Sequence, residues 1–229
     1  MTQTALPPPR QFGGKVLVTG SSGHLGANLV RRLLADGEQE VRVLVRAGSN
    51  NEAIEGLDVE KVSGDLRNPE DVQRAVAGCE TIYHCAAKIS TSYGNRRERR
   101  EIFECNVLGT RNLLDAAQHH NIAKVVVSGS LSAVGDDLDD PQKPCDESIP
   151  FYPFTRTPPY GRTKVLVEHE CLKAAVVGLD VSIATSTGIV GPADYKPSRM
   201  GATLLAHARG KLRAYIPGGH EFVAARDIV

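Results

Sequence analysis

Lys15-Val16-Leu17-Val18-Thr19-Gly20-Ser21-Ser22-Gly23-His24-Leu25-Gly26 is the stretch that decides the fold of this 229-residue chain. Its opening, rich in valine and leucine, reads as a strand. The glycine turn then runs straight into Gly23–Ala35, where Leu25, Leu29, Val30, Leu33 and Leu34 recur at helical spacing, and Gly37 closes the helix. Glycines at 20, 23 and 26 permit a tight turn, let the backbone approach a pyrophosphate, and allow helix to pack closely on strand. The start of the helix presents unpaired N–H groups and the positive end of its dipole to phosphate. A glycine triplet alone says little. With a strand before it and a helix after it, at the head of a βαβ unit, it has the context a dinucleotide site demands.

The same alternation continues outward along the chain. Val41–Val45 is a second strand and Val59–Val62 a short third. Pro69–Ala77 reads as a helix with Asn68 as its N-cap and Pro69 at its first position. Thr81–Cys85 is a fourth strand, Arg96 to His119 a long polar-faced helix, and Lys124–Ser128 a fifth strand. Tyr160–Val176 is a further helix and Val181–Thr187 a sixth strand. This pattern predicts an α/β, doubly wound parallel sheet covered on both faces, in strand order 3-2-1-4-5-6, with the ligand across the carboxyl ends of the strands. Between the fifth strand and the last helix, Gly135–Pro159 carries six of the thirteen prolines. A loop of that length in a compact domain is predicted to flank the active site.

Composition narrows the classes. The length suits one large domain or a domain with a small appendage. Twenty-seven basic side chains balance 27 acidic ones, so no charge excess points to nucleic acid or to a solvating tail. No apolar run is long enough to span a membrane. Met1–Phe12, with three consecutive prolines and no apolar core, reads as a disordered lead-in and not a secretory signal. Five cysteines, an odd number without CxxC spacing, read as free thiols of a cytoplasmic protein, with no metal site.

Cofactor preference is set at the end of the second strand. Twenty residues past Gly26 lies Arg46, and Val41–Arg46 contains no Asp or Glu. An acidic residue there binds the ribose of NAD, whereas arginine accommodates the 2′-phosphate of NADP. A guanidinium grips phosphate through two hydrogen bonds where a carboxylate repels it. NADP is therefore preferred, with NAD possible; a solvated strand-end arginine is the plainer alternative.

Tyr160-Gly161-Arg162-Thr163-Lys164 places a phenol and an ammonium on one helix face. A free tyrosine, with a pKa of about 10, is a poor base at neutral pH and needs a nearby cation to stabilise its phenolate. Lys164 answers that need. Such pairs occur by chance in many helices; the glycine turn upstream makes this one specific. The segment Ser128-Gly129-Ser130-Leu131-Ser132 adds three hydroxyls at the end of the fifth strand.

The chain resembles the extended short-chain dehydrogenases/reductases, which include nucleotide-sugar epimerases, 3β-hydroxysteroid dehydrogenases and dihydroflavonol reductases. The resemblance covers Lys15 to Val229 and rests on several motifs in the family's order. These are Gly20–Gly26, Gly64-Asp65-Leu66, His84-Cys85-Ala86-Ala87, Asn106–Thr110, Ser128–Gly135, Asp146–Pro150, Tyr160–Lys164 and Gly188–Pro192. It implies a Rossmann fold with a cofactor site that includes Gly20, Gly23, His24, Leu25, Gly26, Arg46, Asp65, Leu66, Ala86, Ala87, Tyr160 and Lys164. Asp65 would bond the adenine amino group, and Ala86 and Ala87 would let the cofactor pass over the fourth strand. Asn106 would be structural near the active centre, or else a helix-kink asparagine. Of the three serines, the resemblance selects Ser130 to orient the substrate oxygen beside Tyr160, leaving Ser128 and Ser132 as strand-end hydroxyls.

Two departures stand out. Ser186-Thr187 precedes Gly188 where the family often has a proline-bearing pair. The chain also stops at Asp227-Ile228-Val229, inside a segment that continues in the family, so it reads as a fragment or a shortened member. The implied organisation is a lead-in over 1–12, a Rossmann domain over 13–187 and an incomplete small C-terminal substrate lobe over 188–229. Gly188–Arg199 and Met200–Lys211 resemble dihydroflavonol-reductase-like proteins, which points to ketone or alcohol redox on a small-molecule substrate. An epimerase or dehydratase, and a non-catalytic nucleotide-binding redox sensor, are the alternatives. The resemblance also implies a homodimer paired through the helix bearing Tyr160. The mixed-charge run Arg96–Glu101 reads as a solvated helix face. His119-His120 is no metal site without further ligands, and His84 reads as a core or cofactor-neighbouring residue.

Overall fold

The computed structural model describes residues 14–229, except 39, 91–92, 136–139, 141–142, 147, 152–156, 213 and 215–217, and omits the side chain of Arg199. The expected lead-in over 1–12 and much of the proline-rich loop lie outside the described residues.

Strand β1 (Lys15–Thr19) sits at the middle of a six-stranded sheet. On one side it pairs with β2 (Val41–Val45) and, beyond it, β3 (Glu60–Ser63). On the other side follow β4 (Cys79–His84), β5 (Lys124–Ser128) and β6 (Val181–Ala184). Every pairing is parallel, in the expected order 3-2-1-4-5-6. The period-2 alternation of a strand sends Leu17 to one face and Val16 and Val18 to the other. Leu17 joins a core with Val72, Ile82, Leu113 and Val125. That core lies under α2 (Pro69–Val76), α4 (Gly109–His119) and α5 (Pro159–Val176). Val16 and Val18 join Leu29, Val30, Val43 and Ile54 under α1 (His24–Ala35). Burial on both faces is why the central strands read as continuous apolar runs.

Several boundaries differ from the sequence reading, and four of the differences have a bearing on the fold. Strand β3 begins one residue later, because its register sets Glu60 opposite Arg42. That arginine is almost buried within β2; it ion-pairs with Glu60 at 3.0 Å and donates to Ala75 O and Ala77 O at the end of α2. Strand β4 begins at Cys79, two residues before the expected Thr81. The expected helix from Arg96 to His119 comprises α3 (Arg96–Phe103), a π-helical turn over Glu104–Leu108, and α4. The expected sixth strand stops at Ala184. Leu131 N donates to Ser186 O at 3.1 Å, drawing the chain toward the turn after β5. Gly188–Val190 (β7) then pairs in parallel with Phe222–Ala224 (β8), in a separate two-stranded sheet. Helix α6 (Arg199–Ala208) lies between these strands and α7 (Ala225–Ile228) follows them; Val229 packs against the core under α1.

Candidate functional site

The strand order reverses between β1 and β4, and a cleft opens there at the carboxyl ends of the strands. It measures about 530 Å³ and is lined by Thr19, Gly20, Gly23, Leu44, Arg46, Ser49, Asp65, Leu66, Cys85, Ala86, Ala87, Lys88, Cys105 and Lys196, among others.

The glycine turn forms its floor. Gly20 has φ +72°, and a Cβ there would stand 2.6 Å from Ala86 N. A Cβ on Gly26 would stand 2.7 Å from the carbonyl carbon of Gly20, so helix and turn approach each other as only glycines allow. Gly23 is the N-cap of α1, and no side chain occupies the helix N-terminus, which leaves its first N–H groups for an anion. This cradle fits the pyrophosphate of a dinucleotide. His24 does not line the cleft: its Nε2 lies 3.1 Å from Pro192 O, which also accepts from Asn28 Nδ2 at 2.9 Å. Leu25 and Gly26 belong to the first turn of α1, behind the cradle.

Arg46 and Asp65 stand together at the far end of the cleft. The Asp65 carboxylate is taken by Arg67 at 2.6 Å, and that guanidinium holds its carboxyl below the usual range. Arg46 has no such partner among the described residues. Ala86 and Ala87 lie where the chain leaves β4 and keep the wall low.

The candidate acid–base groups lie on α5 and the turn after β5. Tyr160 occupies the first turn of α5, behind Pro159, whose missing N–H costs nothing there. Burial raises the phenol above its ordinary pKa, and its hydrogen bond with Ser130 works against that rise. Ser130 is itself fixed as N-cap of the single turn Leu131–Ala133, accepting from Ser132 N at 3.2 Å. Lys164 is 5% exposed, donates to Ser128 O at 2.8 Å, and is pushed down to about 8 by burial. Its charge is not what sets the phenol in this state; burial is. Ser128, Ser130, Tyr160 and Lys164 are thus tied together where β5 meets α5. Ser128 contributes its backbone carbonyl.

A buried polar chain joins this cluster to the glycine turn. Asn106, 2% exposed in the π-helical turn, accepts from Lys88 N at 2.7 Å and donates to Lys88 O at 3.1 Å and Thr163 Oγ1 at 3.0 Å. Thr163 in turn donates to Tyr160 O at 2.7 Å. Thr110 donates to Asn106 O, and its hydroxyl lies 2.8 Å from His84 Nε2. Thr110 has spent its proton, so His84 Nε2 donates and Nδ1 accepts from Thr19 Oγ1 at 2.7 Å. Burial holds His84 neutral, lowered to about 3. Asn106 is therefore both of its sequence-level alternatives, a structural residue beside the site and the asparagine of a helix irregularity. The roles of Thr110, Thr163 and Lys196 were not read from sequence; an isolated threonine or lysine carries no spacing signal.

Residues 16–229 match the NAD dependent epimerase/dehydratase family. The chain belongs to that family. This places it among the extended short-chain dehydrogenases/reductases. It is 45% identical over 213 residues to sterol demethylase protein B of Methylococcus capsulatus, covering 93% of this chain and 63% of that one. It is 41% identical over 168 residues to a 3-beta-hydroxysteroid dehydrogenase of Mycolicibacterium neoaurum, covering 71% and 43%. The chain thus spans less than two thirds of either relative. Among solved family structures, Thermus thermophilus UDP-glucose 4-epimerase in complex with NAD superimposes with a TM-score of 0.76 at 26% identity, over 93% of this chain and 71% of that one. Among the described residues no helix is long and apolar enough to cross a membrane.

Proposed function

We propose that the chain carries the cofactor and acid–base site of an NAD(P)-dependent oxidoreductase that interconverts a ketone and a secondary alcohol. The carrying observation is the hydrogen bond between Ser130 and the buried phenol of Tyr160, with Lys164 anchored to the same strand end. The cradle of Gly20, Gly23 and Gly26 would hold the pyrophosphate, and Arg46 the adenosine end. When bound, the nicotinamide supplies or accepts the hydride. Tyr160 gives its phenolic proton to the carbonyl oxygen on reduction and recovers it on oxidation, while Ser130 holds that oxygen in place. Lys164 keeps a positive charge beneath the pair and favours the phenolate as the proton leaves. Likeness to sterol-related relatives favours a flat, apolar alcohol or ketone as substrate.

Tyr160→Phe tests the assignment. Turnover should fall by a factor of about 10²–10⁴ with cofactor affinity nearly unchanged. Normal turnover in the variant would remove Tyr160 from the chemistry.

NADP is the preferred cofactor in this reading, on the strength of Arg46 and the absence of an acidic residue at the end of β2. The likeness to the Thermus epimerase supports a second reading, an epimerase or dehydratase using the same groups. It predicts that cofactor stays bound through purification and that NAD(P)H is not consumed. Residues 188–229 are read as part of a substrate lobe, and exposed Leu172, Val176 and Val177 on and just after α5 support pairing of two copies along that helix. All five cysteines are free thiols, which suits the cytoplasm.

A further inference from the structure

The segment between β7 and α6 lies across the chain as a strap. Pro192 O takes hydrogen bonds from His24 and Asn28 of α1, and Tyr195 lies under the guanidinium of Arg31, 5.8 Å from ring centre to carbon. Ala193, between them, has φ +59°. A left-handed alanine is strained and persists only where its surroundings dictate it. Beyond these tethers Lys196 reaches a part of the chain 146 residues away, donating to Asn50 O at 2.7 Å. That carbonyl belongs to the turn that follows Arg46 and Ser49, and Lys196 lines the same cleft as both.

The charges along the cleft are unequal in kind. Lys88 is neutralised by Glu101 at 2.7 Å, and Asp65 by Arg67. Arg46 forms no ion pair among the described residues, and Lys196 donates to a carbonyl, which accepts the hydrogen bond without cancelling the charge. Two cations without an ion pair among the described residues therefore line the cleft past the end of β2, one from the sheet and one from the strap. Nothing about the 2′-hydroxyl of NAD calls for two. A phosphate dianion does.

We infer that Lys196 is the second cation of a 2′-phosphate site, delivered by the strap and exchanging the Asn50 carbonyl for the phosphate of NADP. This rests on the NADP reading given above and extends it to a residue outside the nucleotide-binding sheet. Binding then also fastens the strap over α1.

The test uses the full chain and two non-reacting probes, 2′,5′-ADP and 5′-ADP, titrated by calorimetry beside NADPH and NADH. Lys196→Met keeps the aliphatic stem and removes the charge. It should weaken 2′,5′-ADP and NADPH about tenfold, a loss of one charge-assisted contact, and leave 5′-ADP and NADH within about twofold. Lys196→Arg should restore most of the loss. Arg46→Ala serves as the reference. If wild type prefers 2′,5′-ADP and Arg46→Ala abolishes the preference while Lys196→Met does not, the inference is wrong and the NADP reading stands. If wild type shows no preference, both fall. Equal losses for all four ligands in Lys196→Met would make the lysine a tether of the strap only.

Discussion

His84 shows how much one side chain's surroundings decide. It sits at the last position of β4, 3% exposed, with both ring nitrogens engaged and no room for a second proton, since one nitrogen must accept from Thr19. Unfolded, it titrates near its usual 6.5; folded, its pKa is lowered to about 3. The unfolded chain therefore binds more protons as pH falls below 6.5, and stability drops by up to roughly 1.4 kcal/mol per pH unit until the folded value is reached. Thermal melts from pH 7 to pH 4 should show a steep acid limb that is flatter in His84→Gln. An unchanged limb would place the acid sensitivity elsewhere. From sequence, His84 was legible only as a core or cofactor neighbour, because its partners come from β1 and α4. Tyr160 and Lys164 were legible as a pair, since four residues apart on a helix fixes their common face. That Lys164 grips a strand-end carbonyl was not, since nothing in the spacing says where Ser128 lies.

At the level of elements, the π-helical turn between α3 and α4 is the feature that periodicity missed. The hydrophobic pattern of the two flanking helices is close enough to continuous that one helix was expected, and a single extra residue in a turn shifts phase without breaking the stripe. The turn carries Asn106, whose amide spans from the backbone of Lys88 to Thr163 on α5. Asn106→Ala should cost about 1–2 kcal/mol, since it leaves the part-buried backbone N–H and C=O of Lys88 without their partner. Chemical denaturation would measure this loss. Because the same amide positions Thr163 and through it the first turn of α5, kcat should fall more than cofactor affinity; an equal fall in both would mean a purely structural role. The six strands, by contrast, were legible to within three residues, because β-branched runs bounded by glycine and polar residues leave few alternatives. Strand β7 escaped because three residues are too few to separate from the end of β6 by composition.

At the scale of the whole molecule, the proposed pairing of two copies depends on Leu172, Val176 and Val177, which are 52%, 87% and 70% exposed. Leu172→Glu with Val176→Glu should shift sedimentation equilibrium from dimer toward monomer while the melting temperature of the monomer stays close to that of wild type. A wild-type chain that sediments as a monomer would end the idea.

The reversal of strand order at β1 also governs how the chain is made. Synthesis delivers β1, β2 and β3 in the order in which they pair, so half of the sheet can assemble on the ribosome as it emerges. The other flank of β1, with Val16, Leu17 and Val18 all destined for complete or near-complete burial, waits for β4 and stays an open edge until then. An unpaired apolar edge is a template for any other strand in reach. The crevice proposed to receive the cofactor in the finished protein is thus, during synthesis, an open apolar seam that a chaperone would need to guard.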